Sequence, residues 1–194
     1  MSVVSYKEVV TRDKPEKSLT KGFRRGSGRN NQGRITTRHK GGGVKRRFRD
    51  IDFVYNKFDI PAKITSIEYD PNRSAYIMLA VYVDGEKRYV VAPKGMKVGD
   101  KFIVSAGEAP IETGNRLILR HIPVGTFVYN VETKPRGGAK MARSAGNFLQ
   151  VVANDDGYTS LKMPSTEIRK VIDTCSACIG TVSNDEWNLT NFGK

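Results

Sequence analysis

Short runs of β-branched and aromatic residues recur along most of the chain and predict a mainly β protein. The first group comprises residues 64–69, 75–83, 87–92 and 101–105. Runs of this length, bounded by turn residues, are typical of strands. The segment Val-Asp-Gly-Glu at 83–86 predicts a hairpin, because Gly85 can adopt the positive φ of a tight turn. The spacing of these runs predicts a small β-barrel that ends near Pro110.

A second group of similar runs predicts a second β domain. It comprises residues 116–119, 126–132, 148–153, 158–163, 168–172 and 179–182. Asn-Asp-Asp-Gly at 154–157 predicts a hairpin turn between two of them, and the chain has no clear apolar stripe at the helical period. We therefore predict two small barrels in series, at 46–110 and 111–194, with the boundary near residues 108–114. One larger sandwich is the alternative.

The first 45 residues have a different composition from the rest. Residues 21–45 are rich in Gly, Arg and Asn and contain few apolar side chains. Such a segment cannot bury enough surface to offset the entropy that is lost when a chain becomes ordered. We therefore predict that residues 1–45 form an extended arm that becomes ordered on a partner.

Positive charge is concentrated in this arm and just after it. The chain has 33 Lys and Arg against 20 Asp and Glu, a net charge of +13. Eleven of the basic residues lie within residues 21–49, where there is no Asp or Glu, so charge is nearly balanced elsewhere. A local excess of this kind favours a polyanionic partner, because basic groups displace counterions from phosphates. A solvated basic arm is the alternative.

The residue types of the arm favour RNA binding. Arginine presents a planar fork that can hold two phosphate oxygens, whereas Asn and His can bond or stack with bases. The segment does not have the GxxxxGK[ST] pattern of a nucleotide-binding loop. The predicted RNA contacts in and beside the arm are Arg24, Arg25, Arg29, Asn30, Asn31, Arg34, Arg38, His39, Lys45, Arg46, Arg47 and Arg49.

A second basic stretch lies at residues 133–147, between two predicted strands. Its basic residues are Lys134, Arg136, Lys140 and Arg143, and no Asp or Glu occurs from 133 to 153. Small residues in this loop would let it lie close to RNA; an ordinary surface loop explains the composition equally well. Arg73, after a predicted Asp-Pro-Asn turn, is a further candidate for a phosphate contact.

The sequence contains no recognisable catalytic or metal-binding constellation. Cys175 and Cys178 are the only cysteines, and a zinc site would need two more ligands, for which only His39 and His121 are available. We interpret the cysteines as small buried residues of a strand. We expect no enzyme activity, cofactor, bound metal or small-molecule substrate. No apolar run is long enough to span a bilayer, and the N-terminus has no secretory pattern, so we expect no membrane partner and an intracellular protein.

Several long motifs resemble the bacterial-type large-subunit ribosomal protein L-two family. They are GRNNQGRITTRHKGGG (28–43), IPAKITSIEYDPNRSAYI (60–77), DGEKRYVVAPKGMKVGD (84–100), IPVGTFVYNVE (122–132) and ARSAG (142–146). The resemblance implies an OB-like barrel followed by an SH3-like barrel. It also implies binding to large-subunit (23S-type) ribosomal RNA near the subunit interface and the peptidyl-transferase region, with other ribosomal proteins and the small subunit as neighbours. At matching positions, the resemblance implies RNA contacts for the loop 134–143 and for the arm residues Arg29, Asn30, Asn31, Arg34, Thr36, Arg38 and His39.

The chain departs from the family pattern at three places. Tyr129 stands where the family usually has His, and Pro-Arg-Gly-Gly-Ala at 135–139 replaces a Gly-Lys-Gly-Gly-Gln run. Family members also continue beyond the position of Lys194 with a basic extension, so the role of that extension in peptidyl transfer is not carried over. We expect a constituent of a cytoplasmic or organellar ribosome. The alternative is a translation or assembly factor that binds RNA transiently.

Overall fold

A computed structural model describes Tyr6, residues 8–22 and residues 26–190. Over these ranges the protein is mainly β, with 3₁₀ helices at Lys17–Leu19, Leu119–His121 and Asp185–Leu189 and no α-helix. The first strands are β1 (Thr20–Gly22), β2 (Arg47–Arg49), β3 (Ala62–Glu68), β4 (Ile77–Tyr82), β5 (Lys87–Val91) and β6 (Lys101–Phe102). The later strands are β7 (Arg116–Ile118), β8 (Phe127–Tyr129), β9 (Val131–Glu132), β10 (Ala139–Met141), β11 (Leu149–Asp155), β12 (Tyr158–Lys162), β13 (Ile168–Ile172) and β14 (Ser176–Ile179).

The first barrel is built on an antiparallel sheet with strand order β5-β4-β3-β6. Along β3 most buried residues alternate with exposed ones, whereas the central strand β4 is almost entirely buried. The predicted hairpin between β4 and β5 is confirmed: Gly85 has a φ of 82°, and the Tyr82 N–H donates to the Glu86 carbonyl oxygen. Ile64, Val90 and Phe102 lie in the core of this barrel.

The second barrel contains a six-stranded antiparallel sheet with strand order β13-β12-β11-β8-β14-β7. The predicted hairpin turn joins β11 and β12, and Asp156 and Gly157 take positive φ values of 51° and 78°. Positive φ at two successive turn residues matches the right-handed twist of the paired strands. The core packs Leu117, Leu149 and Leu161 together. The predicted order, an OB-like barrel followed by an SH3-like barrel, is confirmed.

The two barrels are joined by packing as well as by the chain. Tyr129, Cys178 and Val182 lie in the same hydrophobic cluster as residues of the first sheet. Pro93 and Val182 form an antiparallel bridge, and the Arg116 carbonyl oxygen accepts the Ser105 N–H at 2.9 Å. The relative placement of the barrels is therefore stabilised by shared burial and hydrogen bonds.

Three strand predictions need correction. The run 126–132 is divided into β8 and β9 at Asn130, whose φ of 50° interrupts an extended strand. The strand predicted at 179–182 lies earlier, at Ser176–Ile179, because Gly180 turns the chain with a φ of 116°. The predicted loop 133–147 contains a short strand, β10, which pairs with β9; its two-residue ladder left no recognisable pattern in the sequence.

Candidate nucleic-acid interface

The basic arm leaves the first barrel as a loop closed by a two-stranded ribbon. β1 and β2 pair antiparallel, with Lys21 opposite Phe48, so the chain leaves the barrel and returns to it at adjacent points. Every residue from 29 to 48 is exposed. Residues 29–48 therefore present their side chains to solvent, as expected for a segment that binds a partner. The first part of the predicted arm at 1–45 needs correction: Tyr6 and Val10 pack against the core of the first barrel, and the Thr11 N–H donates to the Ile67 carbonyl oxygen at 2.9 Å.

The tip of the arm, which we define as residues 28–38, has local structure of its own. The Gly28 carbonyl oxygen accepts the N–H groups of Thr36 (2.8 Å) and Thr37 (3.1 Å), and also the Thr36 hydroxyl at 3.2 Å. Gly28 has a φ of 68°, and a Cβ atom there would lie 2.2 Å from the Thr37 oxygen. Only glycine can close the tip in this way.

Asn30 stabilises the turn at the end of the tip. Its Oδ1 accepts the backbone N–H groups of Gln32 (3.0 Å) and Arg34 (2.9 Å), and its own N–H donates to the Arg34 carbonyl oxygen at 3.0 Å. This is the side-chain-to-backbone bonding by which Asn favours turns. We predicted Asn30 as an RNA contact. Its side-chain oxygen is already bonded within the tip, where it orients Arg34.

Replacing Asn30 with Ala should loosen the tip without changing its charge. A hydrogen bond contributes about 1 kcal/mol net, so we expect the amide hydrogens of Gln32 and Arg34 to exchange roughly fivefold faster. Hydrogen exchange followed by NMR measures this directly. Asn30→Asp is the matched control because it keeps the acceptor oxygen, and its exchange rates should stay close to wild type. Equal rates in all three proteins would contradict this role.

The root of the arm lies against the predicted Asp-Pro-Asn turn of the first barrel. Arg46 Nη1 donates to the Pro71 carbonyl oxygen (2.8 Å), and Asn72 Nδ2 donates to the Arg47 carbonyl oxygen (2.8 Å). The turn itself is confirmed, since Asp70 Oδ1 accepts the Asn72 N–H at 2.9 Å. These bonds place Arg46 and Arg47, where the chain returns from the arm to the first barrel, beside Arg73.

Arg73 and Arg143, predicted from separate segments, come together at Phe53. Their guanidinium carbons lie 5.7 Å and 4.9 Å from the Phe53 ring centroid, within the range of cation–π contacts. Arg73 Nε also donates to Asp70 at 2.7 Å. We refer to Arg46, Arg47, Asn72, Arg73 and Arg143 as the root surface. Phe53 was not predicted as part of the site.

The remaining predicted contacts fall into three groups. An exposed group comprises Arg29, Asn31, Arg34, Thr36, Arg38, His39, Lys45, Lys134, Arg136 and Lys140. Arg24 and Arg25 lie outside the described residues. Arg49 is a correction: it is only 9% exposed, and its Nη1 donates to the Arg47 carbonyl oxygen at 2.9 Å, so its geometry suits a structural role at the root of the arm.

The two cysteines are buried, as we interpreted them. Cys178 lies in β14, and Cys175 lies just before that strand. Burial raises the pKa of the Cys175 thiol to about 11, so this thiol is protonated at neutral pH. Within the described ranges, no three His, Cys, Asp or Glu residues are placed to hold a metal ion. None of the helices described there is long and apolar enough to cross a membrane.

A buried ion pair lies where the two barrels meet. Arg116, 1% exposed, donates from Nη2 to Glu132 Oε1 (2.9 Å) and from Nη1 to the Asn130 carbonyl oxygen (2.8 Å). Its guanidinium carbon lies 4.5 Å from the Tyr55 ring centroid, and burial raises the pKa of the Tyr55 hydroxyl well above its usual value. The cluster of Tyr55, Arg116 and Glu132 joins the first barrel to the second. No short-range pattern in the sequence indicated this cluster.

Two family models match this chain. The model described as Ribosomal Proteins L2, RNA binding N-terminal domain, matches residues 16–105, and the model described as Ribosomal Proteins L2, C-terminal domain, matches residues 112–194. Fold and matches together define a ribosomal protein that binds ribosomal RNA. The chain belongs to the ribosomal protein L2 family.

Proposed function

We propose that this protein is a structural constituent of the large ribosomal subunit and binds 23S-type ribosomal RNA. The observation that carries the proposal is the arm, which has no acidic residue from 21 to 49 and is exposed throughout 29–48. A cationic loop that is exposed from residue 29 to residue 48 gains little stabilisation from contacts with its own barrels. It gains much from phosphates, since each neutralised phosphate releases counterions.

The proposed RNA interface continues from the arm to the barrels. Its parts are the exposed arm residues at 29–45, the root surface and the exposed basic residues of the loop 134–143. Arg49 is left out because it is buried, whereas Arg24 and Arg25 stay in the proposal on their sequence alone. We divide the chain into an arm at 1–45 and barrels at 46–110 and 111–194; the gap between the family matches supports the boundary between the two barrels.

The proposed role is scaffolding. The protein would support subunit association and the peptidyl-transferase region through RNA structure, with other ribosomal proteins and the small subunit as neighbours, and without catalysing a reaction or using a cofactor. A cytoplasmic or an organellar ribosome fits this role. The alternative is a translation or assembly factor that binds transiently, for which a small β-barrel would also serve.

Washing ribosomal subunits with high salt tests the proposal. We expect a tagged copy of the chain, expressed in cells, to sediment with large subunits and to remain on them through a wash at about 1 M salt. Screening at that ionic strength removes proteins held only by exposed charge pairs, whereas an arm enclosed in RNA stays bound. Complete release at moderate salt would favour the transient factor. Sedimentation with small subunits alone would contradict the proposal.

A further inference from the structure

A pocket of about 380 Å³ lies between the two barrels, beside the basic loop. Its walls are mostly apolar, and its large exposed apolar residues are Val54 and Phe58, which are 57% and 43% exposed. The buried residues of its lining are Tyr55, Arg116 and Glu132. A pocket with apolar walls and a few polar groups at its buried end is typical of sites for planar organic molecules.

The buried end of the pocket carries balanced charge. Arg116 pairs with Glu132, and Glu132 Oε2 also accepts the backbone N–H groups of Arg136 and Ser176, each at 3.2 Å. Because the cation is already matched by a carboxylate, this end offers no net positive charge for a phosphate. It suits a neutral group that is planar and has polar edges.

The mouth of the pocket, in contrast, is positively charged. Arg136 is exposed there and belongs to a stretch without acidic residues from 133 to 153. The same loop lies tightly on the first barrel: a Cβ atom at Gly138 would lie 3.2 Å from the Phe53 carbonyl oxygen. Phe53 is the ring that Arg73 and Arg143 contact. Val54, the next residue along the chain, lines the pocket.

We infer that this pocket takes one unstacked nucleobase of the bound RNA, whose phosphate lies at Arg136. The inference rests on the proposed function, since it names a site within the same interface. Protein sites that read RNA commonly hold an unstacked base against apolar or aromatic side chains and bond its edges. Here Tyr55, Phe58 and Val54 supply the apolar walls, and the hydroxyls of Thr174 and Ser176 line the same space.

Filling the pocket tests the inference. Thr174→Trp and Ala106→Trp add bulk at exposed lining positions and remove no charge. We expect each to weaken binding to large-subunit ribosomal RNA by roughly tenfold, the size of one base contact. The slope of log affinity against log salt should decrease by no more than the single phosphate contact at Arg136 contributes, because all other phosphate contacts remain. Val83→Trp, at an 80% exposed position in the β4–β5 turn, is the matched control and should bind like wild type.

Two further measurements keep the test decisive. Chemical probing of the RNA should show at least one base that wild type protects and the filled variants leave reactive. Phe58→Ala, which removes part of the wall without adding bulk, should weaken binding several-fold even if a Trp variant fails to fold. Wild-type affinity in Phe58→Ala and in the folded Trp variants would overturn the inference. A photo-crosslinker placed at position 58 in purified large subunits would also overturn it if the crosslinker reacted only with protein. If wild type itself binds no RNA, the proposed function fails instead.

Discussion

Replacing Arg116 with Met is expected to lower the free energy of unfolding by about 3–5 kcal/mol, because the substitution leaves a buried carboxylate without its cation. The Arg116 and Glu132 side chains are only 2% and 4% exposed, so solvent cannot take over the role of the missing guanidinium. The Asn130 carbonyl oxygen also loses its donor. Urea unfolding followed by circular dichroism measures the decrease.

Two control variants separate the buried charge from a general effect of losing an ion pair. Lys94→Met removes an exposed pair with Asp185, in which the side chains are 61% and 46% exposed, and should change the free energy of unfolding far less than Arg116→Met does. The double variant Arg116→Met with Glu132→Gln should recover much of the stability. Gln is neutral and still has an oxygen for the N–H groups of Arg136 and Ser176. A cost for Arg116→Met no larger than that for Lys94→Met would contradict this account.

Features that depend on neighbouring residues were predictable from the sequence. Both hairpins were placed correctly because Gly85 and the Asp156–Gly157 pair provide the turns, and turn chemistry acts within a few residues. The long motifs led to the right family and therefore to the order of the barrels. The exposure of residues 29–48 was predicted for a similar reason, since the composition of residues 21–45 excludes a core of their own, whereas the packing of Tyr6 and Val10 on the first barrel was not predicted.

Features that depend on distant residues were not predictable. Arg73 and Arg143 are seventy positions apart in sequence and meet only because the turn at 70–73 and the loop after β10 both pack on Phe53. Arg116 gave no signal either, because arginine is rarely buried and its partner Glu132 belongs to another strand. The shape of the tip was missed as well: composition indicated its charge, whereas Gly28 and Asn30 determine its geometry.

Neutralising the tip of the arm should have the largest effect on RNA binding. We expect the triple variant Arg29→Gln, Arg34→Gln and Arg38→Gln to bind large-subunit ribosomal RNA about two orders of magnitude more weakly near 0.15 M salt. Each phosphate contact contributes roughly 0.7–0.9 to the slope of log affinity against log salt, so this slope should decrease by about 2–3. Filter binding of a labelled RNA fragment over a range of salt concentrations gives both quantities.

The matched control is Lys101→Gln, Lys162→Gln and Lys170→Gln, which removes the same charge from exposed strand positions of the barrels. An equal decrease in slope in both triple variants would mean that net charge, and not the arm, determines RNA binding. The comparison isolates charge because the hydrogen bonds that shape the tip come from the backbone and from the Asn30 and Thr36 side chains. Gln at the three arginine positions leaves those bonds in place. A lower slope therefore means that a tip of unchanged shape neutralises fewer phosphates.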